Sequence, residues 1–342
     1  MPQWHKLVPE VKTIVLEAPG RFALTQTPDP GQPGPGEVLL GVRNIGICGT
    51  DLHAFRGKQP FFQYPRILGH ELGVEVLGVG DGVTNVRPGD HCALNPYLQC
   101  GACGPCLRGR TNCCEKLRVI GVHIDGGMRE RILHPASHVY PSIKLGLPQL
   151  ALVETLGIGC HAVNRARVQP GERALVVGSG PIGLTVLEFL RVASADFGLL
   201  EISAARRAFA AKMFPEIRLY ESADALQDGH ELPTTVFDCT GNPNSMQASF
   251  KYIANGGTLV FVGLFAGDVT FHDPEFHRRE TTLLASRNGT PAEHRRIIAL
   301  LEEGKIDTSA WISERAPIDA MIDRFPNWLD PNAGIVKAVV DF

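Results

Sequence analysis

The sequence predicts an α/β protein of two domains, one β-rich and one built as a doubly wound parallel sheet. Three observations carry this. The chain has 342 residues, more than one hydrophobic core commonly serves. Residues 1 to about 150 hold short β-type runs between turn signals. From about 157 to 290, apolar β-type runs alternate with helical patterns, the signature of βαβ units.

Taken in order, the first strands are expected at 12–16, 38–42, 74–79 and 131–133. The stretch PDPGQPGPG, 28–36, is a stiff connector into the second of them. The runs at 174–177, 197–200, 236–238 and 258–262 read as buried strands, mostly apolar as strands covered on both faces are. The last fifty residues return to mixed α and β. HRRIIALLEEGKI, 294–306, has apolar residues at helical spacing, and GIVKAVVDF closes as a strand.

Composition narrows the function. With 44% hydrophobic and 20% charged residues, the chain is an ordinary globular protein. A net charge of −3 leaves no basic footprint for nucleic acid. No apolar run approaches the length of a membrane span, and MPQWHKLVPEVK lacks the apolar core of a secretory signal. A cytoplasmic protein is expected, with no membrane partner. In a reducing compartment its nine cysteines point to metal or reactivity more than to disulfides.

ALVVGSGPIGL, 174–184, joins a strand run to a helical one through Gly178, Gly180 and Gly183. Three glycines there serve either a tight turn or a dinucleotide pyrophosphate resting on a helix N-terminus. The second reading gains weight downstream. A helix pattern and a strand follow, ending at Glu201, eighteen residues past Gly183. That is where a carboxylate takes the adenosine ribose and repels a 2′-phosphate, which favours NAD over NADP. Arg206 and Arg207 close behind soften the preference, or form a solvated helix face. Gly178, Gly180, Pro181, Ile182, Gly183, Glu201 and Arg206 are therefore the expected coenzyme contacts. Thr240, Val262 and Gly263, after two later strand runs, are counted with them.

CGACGPCLRGRTNCC supplies Cys100, Cys103, Cys106 and Cys114 in a C-x2-C-x2-C-x7-C spacing. Four thiolates so close can close a tetrahedron around structural zinc, and an iron–sulfur cluster is the other occupant such spacing admits. Cys113 is read as a bystander. A second constellation is spread over three segments: Cys48, Thr50, Asp51 and His53; then His70 and Glu71; then Glu154 and Cys160. Thiolate, imidazole and carboxylate together can make an open catalytic zinc site. Taken singly, each is equally a core or surface residue.

With these motifs in this order the chain resembles the zinc-containing medium-chain alcohol and polyol dehydrogenases over nearly its whole length. The matching residues are Cys48-Gly49-Thr50-Asp51-Leu52-His53, Gly69-His70-Glu71, Pro88-Gly89-Asp90, the four-cysteine lobe, Glu154, the glycine fingerprint and Lys337-Ala338-Val339-Val340-Asp341-Phe342. The resemblance implies a GroES-like catalytic domain at 1–156 and 291–342, with its zinc lobe at about 96–116. It implies a Rossmann domain at 157–290 and an active site in the cleft between the two. It places catalytic zinc on Cys48 and His70, with Glu71 and Glu154 added in the polyol branch, one of them acting through water. It implies two zinc ions per subunit and NAD. Thr50 matches the hydroxyl that takes the substrate proton, His53 the end of the relay, and Lys337 a basic residue near the coenzyme pyrophosphate. Cys160 is expected in the core.

The substrate expected is a small molecule, a polyol or sugar acid oxidised at a secondary alcohol. Sorbitol-type relatives carry a tyrosine where this chain has Ala54, so plain sorbitol is disfavoured. Phe55, Arg287 and Asn288 are the substrate-side residues expected, Arg287 as a grip for hydroxyls or a carboxylate. The alternative substrates are threonine-type or simple secondary alcohols. The alternative class is a non-catalytic nucleotide-binding zinc protein. By analogy with the family a homodimer or homotetramer is expected, with GGTLVFVGLF as a pairing edge.

Overall fold

The computed structural model describes residues 9–59, 62–226, 231–330 and 333–342. The chain divides into two compact units, Met1–Glu154 with His294–Phe342, and Thr155–Glu293.

The first unit begins with an antiparallel pair, β1 (Glu10–Ala18) and β2 (Arg21–Pro28), turned at Gly20 with φ 75°. Then come β3 (Glu37–Gly46), α1 (Gly49–Phe55), β4 (Glu71–Val79), β5 (His91–Leu94) and β6 (Tyr97–Leu98). After these are α2 (Gly104–Leu107), β7 (Arg118–Val119), β8 (Arg131–Pro135), β9 (Val139–Pro141) and α3 (Leu147–Ala151). Gly73 on β4 admits α3 closely, since a Cβ there would lie 2.1 Å from the Leu147 carbonyl oxygen.

Within α4 (Val153–Ala166) the chain passes into the second unit. There β10 (Arg173–Val177), α5 (Pro181–Val192), β11 (Asp196–Leu200), α6 (Ala204–Met213) and β12 (Arg218–Tyr220) follow. They are followed by β13 (Thr235–Asp238), α7 (Pro243–Ala248), β14 (Thr258–Phe261), α8 (Asp273–Arg278) and β15 (Thr282–Ala285). The six strands are parallel in the order β12-β11-β10-β13-β14-β15. The order reverses between β10 and β13, which is where such sheets bind dinucleotides. The expected pairing edge is corrected here: β14 is flanked on both sides, and the edge strand next to it is β15, with Thr282, Leu283 and Ala285 exposed.

α9 (Pro291–Glu302) starts three residues before the apolar pattern suggests, because Thr290 and Glu293 cap it. Glu293 accepts from the Thr290 N–H at 2.8 Å and its hydroxyl at 2.9 Å. The helix stops short of Ile306, ahead of Gly304 with φ 67°. β16 (Ile312–Pro317), α10 (Met321–Trp328) and β17 (Lys337–Asp341) complete the first unit. Its main sheet runs β16-β17-β3-β4-β5-β9, with β8 also on β3. Val38, Leu40, Val42, Ile45, Leu72, Val74 and Val340 fill its core. Among the described residues no helix is long and apolar enough to cross a membrane.

The three fingerprint glycines differ physically. Gly178 sits at φ 87°, outside the range of most side chains. A Cβ on Gly183 would fall 1.9 Å from the Gly178 carbonyl oxygen, whereas one on Gly180 meets nothing within 4 Å. Gly183→Ala should therefore cost about 2–3 kcal/mol of stability through overpacking, and lower the melting temperature measurably. Gly180→Ala should cost under about 1 kcal/mol yet weaken dinucleotide binding, since its open side is where the pyrophosphate would approach. Equal thermal losses in the two variants would contradict this division.

Candidate functional site

Cys48 caps α1, with an extended backbone at φ −91° and ψ 156°. Its N–H donates to the Asp51 carboxylate at 2.9 Å, which fixes the first turn. His70 and Glu71 stand at the entrance to β4, after Gly69 in the left-handed region at φ 92°. The ligand atoms of Cys48, His70 and Glu71 lie within 4.8 Å of one another. His70 and Glu71 are buried, Cys48 partly so.

Sequence reasoning did not foresee what holds Glu71. In the β3–β4 register Gly46 is its partner, and a Cβ on Gly46 would stand 2.2 Å from Glu71 Oε2. The missing side chain makes room for the carboxylate. Lys337, at the start of β17, donates from Nζ to both oxygens of Glu71 at 2.7 Å and to the Ile47 carbonyl at 3.1 Å. This corrects the expectation for Lys337, which is 2% exposed. Its ammonium is spent on Glu71 and the backbone rather than offered to a coenzyme phosphate. Burial disfavours its charge, but Glu71 and Cys48 outweigh that and hold its pKa above the ordinary lysine value.

Glu154, in the first turn of α4, is buried beside the cluster but outside the three-donor group among the described residues. One of its oxygens accepts from the Tyr97 hydroxyl. Burial, then the Glu154 charge, holds the Tyr97 hydroxyl well above its ordinary pKa, so it stays a donor. Asp51 Oδ1 lies 3.8 Å from His70 Nδ1, and both atoms are buried without a hydrogen-bond partner. Burial raises the carboxyls of Asp51 and Glu154 above the usual range. A thiol, an imidazole and a crowd of buried carboxylates with one lysine for balance suit a divalent cation. Zinc takes this donor chemistry.

Thr50 and His53 share α1 three residues apart, so they lie on one face. His53 is exposed. Partial burial, then Arg56 and Lys58, lower its pKa from the ordinary histidine value. Phe55 does not join them. Two residues beyond His53, it turns to the opposite side and stacks on Phe22 at 5.2 Å and packs on Phe325 at 5.0 Å. Its expected substrate role is thereby corrected to packing. Ala54 is buried, and its carbonyl accepts from the Tyr64 hydroxyl.

The cysteine lobe is compact. Sγ atoms lie 3.4 Å apart for Cys103 and Cys106, 3.5 Å for Cys100 and Cys114, and 3.8 Å for Cys103 and Cys114. All four ligand atoms fall within 4.8 Å of one another, and Cys113 is not among them. Cys114 accepts N–H bonds from Cys100 and Lys116, both at 3.3 Å. Backbone N–H groups of Ala102 and Cys103 pull the Cys100 thiol down to about 6. Four thiolates so arranged fit a closed structural zinc.

In the second unit the carboxyl ends of β10, β11, β13 and β14 carry Gly178, Glu201, Thr240 and the pair Val262–Gly263. Pro181, Ile182 and Gly183 form the first turn of α5, and Gly180 is its cap. Glu201 is 5% exposed, and its bonds go to the glycine loop. It accepts from the Ser179 N–H at 2.9 Å, the Ser179 hydroxyl at 3.0 Å and the Ser203 N–H at 2.8 Å. It thus braces the phosphate loop from the residue just past β11. Arg206 is exposed on the first turn of α6, while Arg207 donates to the Glu201 carbonyl at 2.7 Å. Thr240 is tied to Asp238 through its N–H at 3.0 Å and hydroxyl at 2.7 Å. Arg287 is exposed just past β15, and Asn288 adopts φ 56° with a buried, unpartnered Nδ2. Cys160 is fully buried, as a core residue is.

Comparison with known proteins agrees with both units. Residues 34–145 match the alcohol dehydrogenase GroES-like domain, and residues 181–303 match the zinc-binding dehydrogenase family. The chain is 40% identical to the L-galactonate-5-dehydrogenase of Escherichia coli K12, covering 91% of this chain and 93% of that one. It is 30% identical to the L-arabinitol 4-dehydrogenase of Hypocrea jecorina, covering 90% and 85%. A zinc-binding dehydrogenase of Sinorhizobium meliloti 1021, solved with NADP bound, superposes with a TM-score of 0.90 at 30% identity, covering 98% of this chain and all of that one. The chain therefore belongs to the zinc-type medium-chain alcohol and polyol dehydrogenases, a family of oxidoreductases built from a GroES-like domain and a Rossmann domain and working with zinc and a nicotinamide coenzyme.

Proposed function

We propose that this chain transfers a hydride from a secondary alcohol of a polyol or sugar acid to NAD. The observation that carries the reading is the Cys48–His70–Glu71 cluster, its imidazole and carboxylate buried, a three-donor set of the kind that leaves one metal position open. Relatives named for a galactonate and for arabinitol support the substrate class.

Bound zinc would supply a Lewis acid that eases loss of the substrate hydroxyl proton, and bound NAD would accept the hydride. The protein supplies the rest. Cys48, His70 and Glu71 would hold the metal. Thr50 accepts the substrate proton at Oγ1 as it gives up its own hydroxyl proton, and the exposed His53 passes a proton on to solvent. Gly178 to Gly183 with Ser179 hold the pyrophosphate, on a loop that Glu201 keeps in shape. Arg287 grips a carboxylate or paired hydroxyls remote from the reacting carbon, which orients that carbon.

Metal analysis tests the two donor sets. Purified protein should carry about two zinc per chain. Cys103→Ser should remove the lobe ion and lower stability, because structural zinc binding is folding free energy. His70→Ala should abolish turnover and leave NAD binding nearly intact. A variant keeping more than about a tenth of wild-type kcat/KM would show that metal at this cluster does not drive the reaction.

NADH formation on hexonates, aldonates, pentitols, hexitols and threonine tests the substrate class. Arg287→Ala should lower kcat/KM about ten-fold or more on the preferred polyol or sugar acid. Short alcohols, which do not reach that group, should change much less. Equal losses on both would assign the arginine a structural role, and activity confined to threonine would overturn the sugar-acid reading.

A further inference from the structure

The cluster contains two glutamates held in different ways. Glu71 takes the Lys337 ammonium on both oxygens and stands with Cys48 and His70 in one donor group. Glu154 is 4% exposed and takes the Tyr97 hydroxyl on Oε1. Tyr97 is a stiff arm. It is 5% exposed, its ring packs with Val119 and Val122, and its N–H donates to Asn95 Oδ1 at 2.9 Å. Its strand β6 is paired to β7. A phenol on such a mount cannot follow a carboxylate that swings away.

A zinc site with four protein ligands is closed and structural, whereas three ligands leave a position for the substrate. A second carboxylate beside a three-donor set is therefore a hazard unless something restrains it. We infer that Tyr97 is a positioning residue that keeps Glu154 out of the metal's coordination shell and so keeps the fourth position open. Without the hydroxyl, the Glu154 carboxylate is left buried and short of a donor, a costly state. The nearest remedy is the cation. The inference rests on the reading of Cys48, His70 and Glu71 as a metal centre.

The test is zinc release to a chelator, with the lobe zinc as internal reference. Tyr97→Phe keeps the ring and its packing, so the fold should be retained, and the melting temperature checks this. The variant should hold the non-lobe zinc about ten-fold more tightly than wild type, opposite in sign to the losses of similar size that follow when a group orienting a metal ligand is removed. Its cobalt-substituted form should lose the spectral change that substrate produces in wild type, and KM for substrate should rise. In a Glu154→Gln background the tyrosine substitution should have no further effect on release. Tyr140→Phe, at a buried tyrosine that packs on His294 as Tyr97 does but does not hold Glu154, should behave as wild type. Release from Tyr97→Phe at the wild-type rate or faster would overturn the inference while leaving the metal centre standing. Wild-type protein with zinc in the lobe alone would overturn both.

Discussion

The ion pair between Lys337 and Glu71 is the constraint on which the rest of the first unit depends. Both side chains are 1% exposed, and the ammonium lies 2.7 Å from the carboxylate. Removing one partner of such a pair commonly costs about 3–5 kcal/mol, because the other charge is left buried. The pair ties the last strand of the chain to the first residue of β4, and both strands flank β3. The donor cluster thus draws its balancing charge from the C-terminal segment. Gly46, in register with Glu71 and near Val339, keeps the place clear for the carboxylate.

Around that pair each buried acid has its own restraint. Asp51 is held by the Cys48 N–H and faces His70, Glu71 by Lys337, and Glu154 by Tyr97. The distribution matters because carboxylates this close raise one another's pKa and compete for any cation. One lysine and a divalent metal balance most of the negative charge, which no lysine alone would do. In the second unit the same economy recurs in Glu201, whose carboxylate braces Ser179 and caps the approach to α6. The residue that sequence spacing marks for the ribose also shapes the loop that would hold the phosphates.

Much of this was legible in the chain. The parallel strands of the second unit announce themselves because a strand covered on both faces reads as a near-continuous apolar run, as 174–177 and 259–262 do. The cysteine spacing singles out Cys114 over Cys113, and the structure gathers Cys114. What stayed hidden depends on partners far apart in sequence. β15 is not among the expected strands, because TLLA is four residues long and carries no periodic signal. Phe55 looked like a substrate contact because it follows His53, and its true neighbours, Phe22 and Phe325, lie far along the chain. Lys337 on a terminal strand reads as a coenzyme contact until Glu71 is seen opposite it. Tyr97 carries no motif, and only the tertiary contact with Glu154 reveals it.

The central claim is that Cys48, His70 and Glu71, set by Gly46 and Lys337, form a metal centre separate from the four-cysteine lobe. Anomalous diffraction at the zinc edge from crystals of the purified protein tests it most directly. The account predicts two peaks per chain, one within the four sulfurs and one bonded to Cys48, His70 and Glu71 with Glu154 still on Tyr97. A single peak in the lobe, or a second ion bonded to Glu154 with Glu71 outside its shell, would contradict it.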